Sequence, residues 1–182
     1  MSSFVEGLTH DQIADIGAEW VRRKGFPVAF SNMRSTSYGE QPDVLGFNPY
    51  GHTFLLEAKV SRSDFLSDSS KPWRSKGLSA IGDYRGFITP KSLLKPEEIP
   101  YGWWLLEVHG KSKPVVKVIK GVKKVKDTSV HCWPFDTYPH CDREEADSFI
   151  GANKIASHNW LIKVLQRAVS DGIDINKYAG AI

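Results

Sequence analysis

The segment QPDVLGFNPYGHTFLLEAKV, residues 41–60, constrains the fold more than any other part of this sequence. Two apolar runs, DVLGF and HTFLLEAKV, flank the segment NPYG, whose residues all favour turns. Apolar runs joined by such a turn are typical of a β-hairpin with two antiparallel strands. A fold of this chain must therefore bury two adjacent strands that are close in sequence.

Three charged residues interrupt the apolar hairpin. Asp43 begins the first run, and Glu57 and Lys59 lie near the end of the second. Side chains two residues apart share one face of a strand, so Glu57 and Lys59 are expected to project together. The turn brings the start of the first strand beside the end of the second. We therefore predict that Asp43, Glu57 and Lys59 meet at one end of the hairpin.

The residues around the hairpin predict an α/β (α+β) domain in which helices flank a central mixed β-sheet. A first helix is expected to begin at Thr9 or His10 and to end at Gly25, and FPVAFSN is typical of a short strand. After the hairpin, SRSDFLSD predicts a short helix capped by Ser61 or Ser63. Three further strands are predicted in YRGFITP, YGWWLLEVHG and KPVVKVIKG.

A long helix is predicted near the C-terminus. Residues 142–170 carry apolar side chains at helical spacing, which indicates one continuous helix. The 182 residues suffice for one domain with a proper core. We assign residues 1–126 to that domain and residues 127–182 to a loop and a helical extension packed on it. The apolar face of the helix is wide enough to bury against the domain or against a second copy, which leaves a homodimer open.

The three charges of the hairpin suit a metal site. Two converging carboxylates repel each other unless a cation lies between them, and hard oxygen ligands select Mg²⁺, Mn²⁺ or Ca²⁺ over zinc. A neighbouring lysine can orient a water molecule or stabilise charge on a phosphate. The alternative is structural: Glu57 and Lys59 form a surface pair on a half-exposed strand, and Asp43 caps a turn. Such an exposed pair contributes only about 0–1 kcal/mol.

The pair Pro-Asp at residues 42–43, followed after a gap by Glu-Ala-Lys at residues 57–59, resembles the motif of the PD-(D/E)xK nuclease superfamily. This superfamily includes many restriction and repair nucleases. The resemblance implies that Asp43 and Glu57 bind a catalytic Mg²⁺ or Mn²⁺, helped by the Ala58 carbonyl. It implies that Lys59 acts on the attacking water.

The resemblance also implies a restriction-endonuclease-like core, whose order of helix, three strands, helix and strand is matched over residues 9–90. Many members place a glutamate of the first helix towards the site, and Glu19 is the candidate here. The run EAKVSRSDFLSD is similar to a small bacterial branch associated with DNA repair. The function implied is that of a magnesium-dependent deoxyribonuclease. The alternative is a catalytically inactive protein that keeps the nuclease fold and binds DNA or another protein.

Two basic segments are candidates for contact with DNA. Residues 110–126 contain seven lysines and no acidic residue, and residues 71–76 add further charge and a tryptophan that can stack on a base. The alternative is that these lysines only solubilise an edge strand. The candidate contacts are Lys71, Trp73, Arg74, Lys76, Lys117, Lys120, Lys123 and Lys124.

The sequence predicts a cytoplasmic protein without a membrane segment. The run MSSFVEGLTHDQ lacks the basic and apolar regions of a secretory signal. No apolar run approaches the roughly 18–20 residues that span a bilayer. Cys132 and Cys141 are the only cysteines and are expected to be reduced thiols.

Overall fold

The computed structural model describes residues 7–33, 41–68, 81–121 and 153–174. Within these ranges the helices are α1 (His10–Arg23), α2 (Arg62–Asp68) and α3 (Lys154–Ser170), with a short 3-10 helix at Pro96–Glu98. The strands are β1 (Val28–Ser31), β2 (Val44–Phe47), β3 (Thr53–Ala58), β4 (Tyr84–Pro90), β5 (Trp103–His109) and β6 (Val115–Lys120). None of these three helices is long and apolar enough to cross a membrane.

The strands form one mixed sheet in the order β1-β2-β3-β4-β5-β6. β2 and β3 are antiparallel, with Val44 opposite Leu56 and Phe47 opposite Thr53, so the predicted hairpin is confirmed. β3, β4 and β5 are parallel, whereas β1 and β6 are antiparallel to their neighbours. The α+β class with a mixed sheet is therefore confirmed. From α1 to β4 the order is helix, three strands, helix and strand.

α1 covers one face of the sheet. The Thr9 side chain accepts the Gln12 N–H, and the Gln12 side chain accepts the Thr9 N–H, which fixes the predicted start of the helix. The helix approaches β2 closely, because a Cβ atom on Gly46 would lie only 2.4 Å from Cγ1 of Val21. Only glycine fits at this position. The apolar side of α1 packs against Val44, Phe54, Leu56, Ile88, Trp104 and Leu106.

α2 and α3 cover different strands of the opposite face. Phe65 of α2 packs edge-on against Phe87 of β4, with ring centroids 5.1 Å apart. Trp160 of α3 packs with Leu45 of β2 and Leu55 of β3. Every residue of β3 is consequently buried. The charged residues at the end of this strand thus lie in a sheet that is covered on both faces.

α3 begins later than the sequence predicts. The apolar pattern predicts one helix over residues 142–170, but Asn153 has an extended backbone and its side chain accepts the Ala156 N–H at 3.0 Å. An asparagine in this role starts a helix rather than continuing one. The prediction of a single helix through this point is therefore wrong, whereas its end at Ser170 is confirmed. Residues 142–152 lie outside the described residues.

A buried carboxylate attaches the start of α3 to the sheet. Asp83 is fully buried, and its Oδ2 accepts hydrogen bonds from the N–H and the hydroxyl of Thr53 at 2.7 and 2.9 Å. Nζ of Lys154 lies 2.6 Å from both carboxylate oxygens of Asp83 and donates to the Gly51 carbonyl at 2.8 Å. The buried carboxylate thus has its hydrogen-bond partners, whereas the Lys154 side chain is 53% exposed. α3 is held in this way at the turn between β2 and β3.

Candidate active site

Asp43 is fixed where β2 stops pairing with β3. The last paired residues are Val44 and Leu56. Two residues further along, the Ala58 N–H donates to Oδ2 of Asp43 at 2.8 Å, so a side chain takes the place of a strand partner. The Asn32 N–H also donates to the Asp43 carbonyl at 2.8 Å. The Asp43 carboxylate is therefore held beside the peptide that joins Glu57 to Ala58.

A histidine from α1 reaches the same carboxylate. Nε2 of His10 lies 3.2 Å from Oδ2 of Asp43. This places an imidazole nitrogen within ion-pair distance of the carboxylate. Among the described residues, both recorded contacts of the Asp43 carboxylate fall on Oδ2. The sequence gives no sign of this contact, because the periodicity of α1 does not reveal which strand its first turn meets.

Glu57 and Lys59 are buried although both are charged. Each residue is only 3% exposed, and Nζ of Lys59 lies 3.4 Å from Oε2 of Glu57. Oδ1 of Asp64, in the first turn of α2, lies 4.0 Å from the same Nζ. The interpretation of Glu57 and Lys59 as a half-exposed surface pair is therefore wrong. Asp64 is a second acid beside Lys59, and its sequence position alone does not show which side of α2 faces the strand.

The oxygen atoms of the acidic residues here are ligands of the kind that Mg²⁺ and Mn²⁺ prefer. The described part of the chain contains no group of three or more His, Cys, Asp and Glu side chains arranged to hold a metal ion. Mg²⁺ keeps several water molecules and is held by one or two carboxylates together with substrate phosphates. Asp43 and Glu57 are two carboxylates that could bind such an ion.

The structure does not bring Glu19 into this cluster. α1 packs on the face of the sheet opposite to Glu57, and Glu19 lies on the outer side of the helix. Its carboxylate forms ion pairs with Arg22 at 3.3 Å and with Arg23 at 3.1 Å. It also lines a groove of about 430 Å³ beside Val115 of β6. The expectation that the first helix presents Glu19 to the site is not met.

The structure describes two of the candidate DNA contacts. Lys117 is exposed on β6. Lys120 points inward, because its Nζ donates to the carbonyl oxygens of Ile99 at 2.7 Å and Pro100 at 3.2 Å, and burial lowers its pKa. These hydrogen bonds hold Lys120 against the turn after the 3-10 helix, and its role as a phosphate contact stays a prediction. The described residues do not include Lys71, Trp73, Arg74, Lys76, Lys123 or Lys124.

An ion pair on the outer side of α2 holds that helix in place. Arg62 pairs with both carboxylate oxygens of Glu98, with Nη1 3.0 Å from Oε2, and it donates to the Leu93 carbonyl at 3.3 Å. The hydrogen bond from Arg62, supported by the Lys95 N–H, lowers the pKa of Glu98 from its usual 4.5 to about 2. Because α2 carries Asp64 towards Lys59, this pair also fixes one side of the candidate site.

Comparison with known proteins supports the fold alone. No family model and no curated protein matches the sequence. A solved structure of a protein of unknown function from Silicibacter pomeroyi is similar, with a TM-score of 0.52 and 19% sequence identity. The similarity covers 92% of this chain and 97% of that chain. The two proteins share an architecture, and this likeness carries no information about activity.

The lowered pKa of Glu98 predicts that its ion pair with Arg62 contributes to the free energy of unfolding and that this contribution is lost in acid. A group whose pKa falls from 4.5 to about 2 on folding stabilises the protein above pH 4.5 and loses that contribution as the pH falls towards 2. In Glu98→Gln the free energy of unfolding, measured by urea denaturation, should therefore fall less steeply over this range than in the wild type. Glu97→Gln, on the same turn, is the control and should keep the wild-type slope. Equal slopes for all three proteins would contradict the role of the pair.

Proposed function

We propose that this protein is a metal-dependent nuclease that hydrolyses phosphodiester bonds of DNA. The observation that carries the proposal is the buried Glu57–Lys59 pair, held at the end of β3 beside the anchored Asp43 carboxylate. The resemblance of these residues to the PD-(D/E)xK motif supports it. The order of elements from α1 to β4 is the one that the resemblance implies.

The energetics of burial favour a chemical role for this pair. Removing two charges from water costs several kcal/mol for each ion, and their attraction offsets this cost only with good geometry. Nζ of Lys59 lies 3.4 Å from Oε2 of Glu57 and 4.0 Å from Oδ1 of Asp64. A site that binds a cation and a phosphate gives this group of charges a chemical use.

Each residue then has a defined role. Asp43 and Glu57 would hold Mg²⁺ or Mn²⁺. When bound, the cation acidifies the attacking water and offsets charge that grows on the phosphate. Lys59 donates hydrogen bonds from Nζ and so orients the water or a phosphate oxygen. Burial strengthens the attraction of its charge to a phosphate, because that attraction is weaker in water.

Lys117 supports DNA as the substrate, because it lies on the same face of the sheet as Glu57. Glu57 is opposite Phe87 of β4, and Phe87 is opposite Leu105 of β5. Two residues further along β5, Glu107 is opposite Lys117 of β6. Residues that are directly opposite share a face. With strands about 4.8 Å apart, β6 lies roughly 14 Å from β3, within the reach of one bound duplex.

The first prediction from this proposed function concerns catalysis. Asp43→Ala and Lys59→Ala should each lower DNA cleavage by roughly 100-fold or more, since each removes a group that acts on the reacting atoms. Supercoiled, linear and single-stranded DNA should be incubated with Mg²⁺, Mn²⁺ or EDTA. Lys95→Ala, at an exposed lysine, is the control, and thermal unfolding shows that each variant is folded. Wild-type cleavage by either site variant would refute the assignment.

A folded wild-type protein that cuts none of these substrates would favour the alternative function. That alternative is a catalytically inactive protein on a nuclease-like scaffold that binds DNA or another protein.

The second prediction concerns DNA binding. Affinity should fall steeply with salt, because phosphate contacts release counterions. Lys117→Gln should reduce the slope of log K against log salt by about 1. Lys120→Gln is the matched control on the same strand and should keep the slope, since its Nζ already binds carbonyl oxygens. A salt-independent affinity would show that nucleic acid is not the partner.

A homodimer through α3 is a further proposal. Five aliphatic side chains on this helix and just after it are 38–76% exposed: Ile155, Ile162, Leu165, Val169 and Ile173. Ile155, Ile162 and Val169 recur every seven residues with Leu165 between, a spacing typical of paired helices. Sedimentation should therefore depend on protein concentration. Val169→Glu should remove this dependence, whereas Gln166→Glu should not. A wild type that sediments as a monomer at all concentrations would contradict the proposal.

A further inference from the structure

We propose that His10 is a positioning residue that sets the orientation of the Asp43 carboxylate for a divalent cation. The inference rests on the proposed function in so far as Asp43 binds a metal. It adds a residue of α1 to a site otherwise built from the hairpin and α2.

The geometry at Asp43 defines one rotation of its carboxylate. The terminal torsion of an aspartate is soft, so an unrestrained carboxylate samples a broad range of angles. Here the Ala58 N–H donates to Oδ2 at 2.8 Å, and Nε2 of His10, from another element, lies 3.2 Å from the same oxygen. Both contacts fall on Oδ2 and not on Oδ1. Oδ1 is therefore the oxygen presented to a ligand.

His10 is itself held by the surrounding structure. It is the first residue of α1, next to the Thr9 cap. Asn32, at the end of β1, donates from Nδ2 to the Asp11 carbonyl at 3.2 Å and to Oδ1 of Asp15 at 3.1 Å. The N–H of the same Asn32 donates to the Asp43 carbonyl at 2.8 Å. One residue therefore ties the first turn of α1 to the backbone of Asp43, which keeps His10 within reach.

The contact indicates positioning rather than direct metal binding by His10. A histidine that binds a metal must direct the lone pair of a ring nitrogen at the ion. Nε2 lies 3.2 Å from a carboxylate oxygen of Asp43. The other ring nitrogen, Nδ1, lies 3.5 Å from Oδ1 of Asp11. Both nitrogens are thus directed at acidic side chains.

The experiment measures Mn²⁺ binding to the DNA-free protein by calorimetry. His10→Ala should raise the Kd for Mn²⁺ about tenfold, because groups that orient a metal ligand typically change affinity 10–100-fold. His10→Gln keeps a donor at a similar reach and should restore most of the affinity. His158→Ala, at an exposed histidine of α3, is the control. In cleavage assays His10→Ala should raise the Mg²⁺ concentration for half-maximal rate and leave kcat at saturating Mg²⁺ within about twofold of the wild type.

The outcomes separate this inference from the proposed function. Weaker Mn²⁺ binding in His10→Ala with rescue by Gln supports positioning, even if no DNA is cut. Unchanged Mn²⁺ affinity in His10→Ala, from a protein that binds Mn²⁺ and cuts DNA, overturns the inference and leaves the nuclease assignment intact. Loss of binding in both His10 variants overturns positioning in favour of direct ligation. A wild type that binds no Mn²⁺ overturns both.

Discussion

The hydrogen bond from the Ala58 N–H to the Asp43 carboxylate is the contact on which the candidate site depends. β2 has four residues and β3 has six, so β3 extends beyond its partner. A buried N–H group without an acceptor costs about 1–3 kcal/mol, and Asp43 supplies the acceptor. The same extension of β3 carries Glu57, with Lys59 just beyond it. Asp43, which accepts the N–H of Ala58 at the end of β3, consequently lies beside the buried charges.

The charged side chains of the candidate site differ in their exposure to solvent. The side chains of Glu57 and Lys59 are 4% exposed, that of Asp43 is 21% exposed, and that of Asp64 is 38% exposed. A ligand from solvent therefore meets Asp43 and Asp64 before it reaches the buried pair. This gradient suits a phosphate group that arrives from outside and a lysine charge that must act away from bulk water.

The sequence predicts the elements of this fold better than it predicts their contacts. The hairpin, the Thr9 cap and β4 follow from turn residues, capping residues and strand-like runs, which are local signals. The roles of His10 and Asp64 were not predicted, because they depend on where the first turns of two helices meet the strand ends.

The differences between the sequence-based expectations and the observed contacts have the same origin. Glu19 has the right residue type on the right helix, yet α1 packs on the other face of the sheet. Lys120 belongs to a basic run, yet its Nζ reaches carbonyl oxygens. The apolar pattern that predicts α3 also continues across Asn153. The spacing of apolar residues alone does not reveal that this asparagine caps the start of the helix.

A second ion pair, in which only the carboxylate is buried, differs from the first in what it connects. Asp83 and Lys154 are distant in sequence, and their contact joins α3 to the sheet. Glu57 and Lys59 are two residues apart on one strand, so their mutual contact links no separate elements, whereas the approach of Lys59 to Asp64 at 4.0 Å reaches α2. Apolar residues of similar volume often replace such pairs without loss of stability. The proposed hydrolysis would give these buried charges a chemical use, because electrostatic stabilisation of a developing charge is stronger where water is excluded.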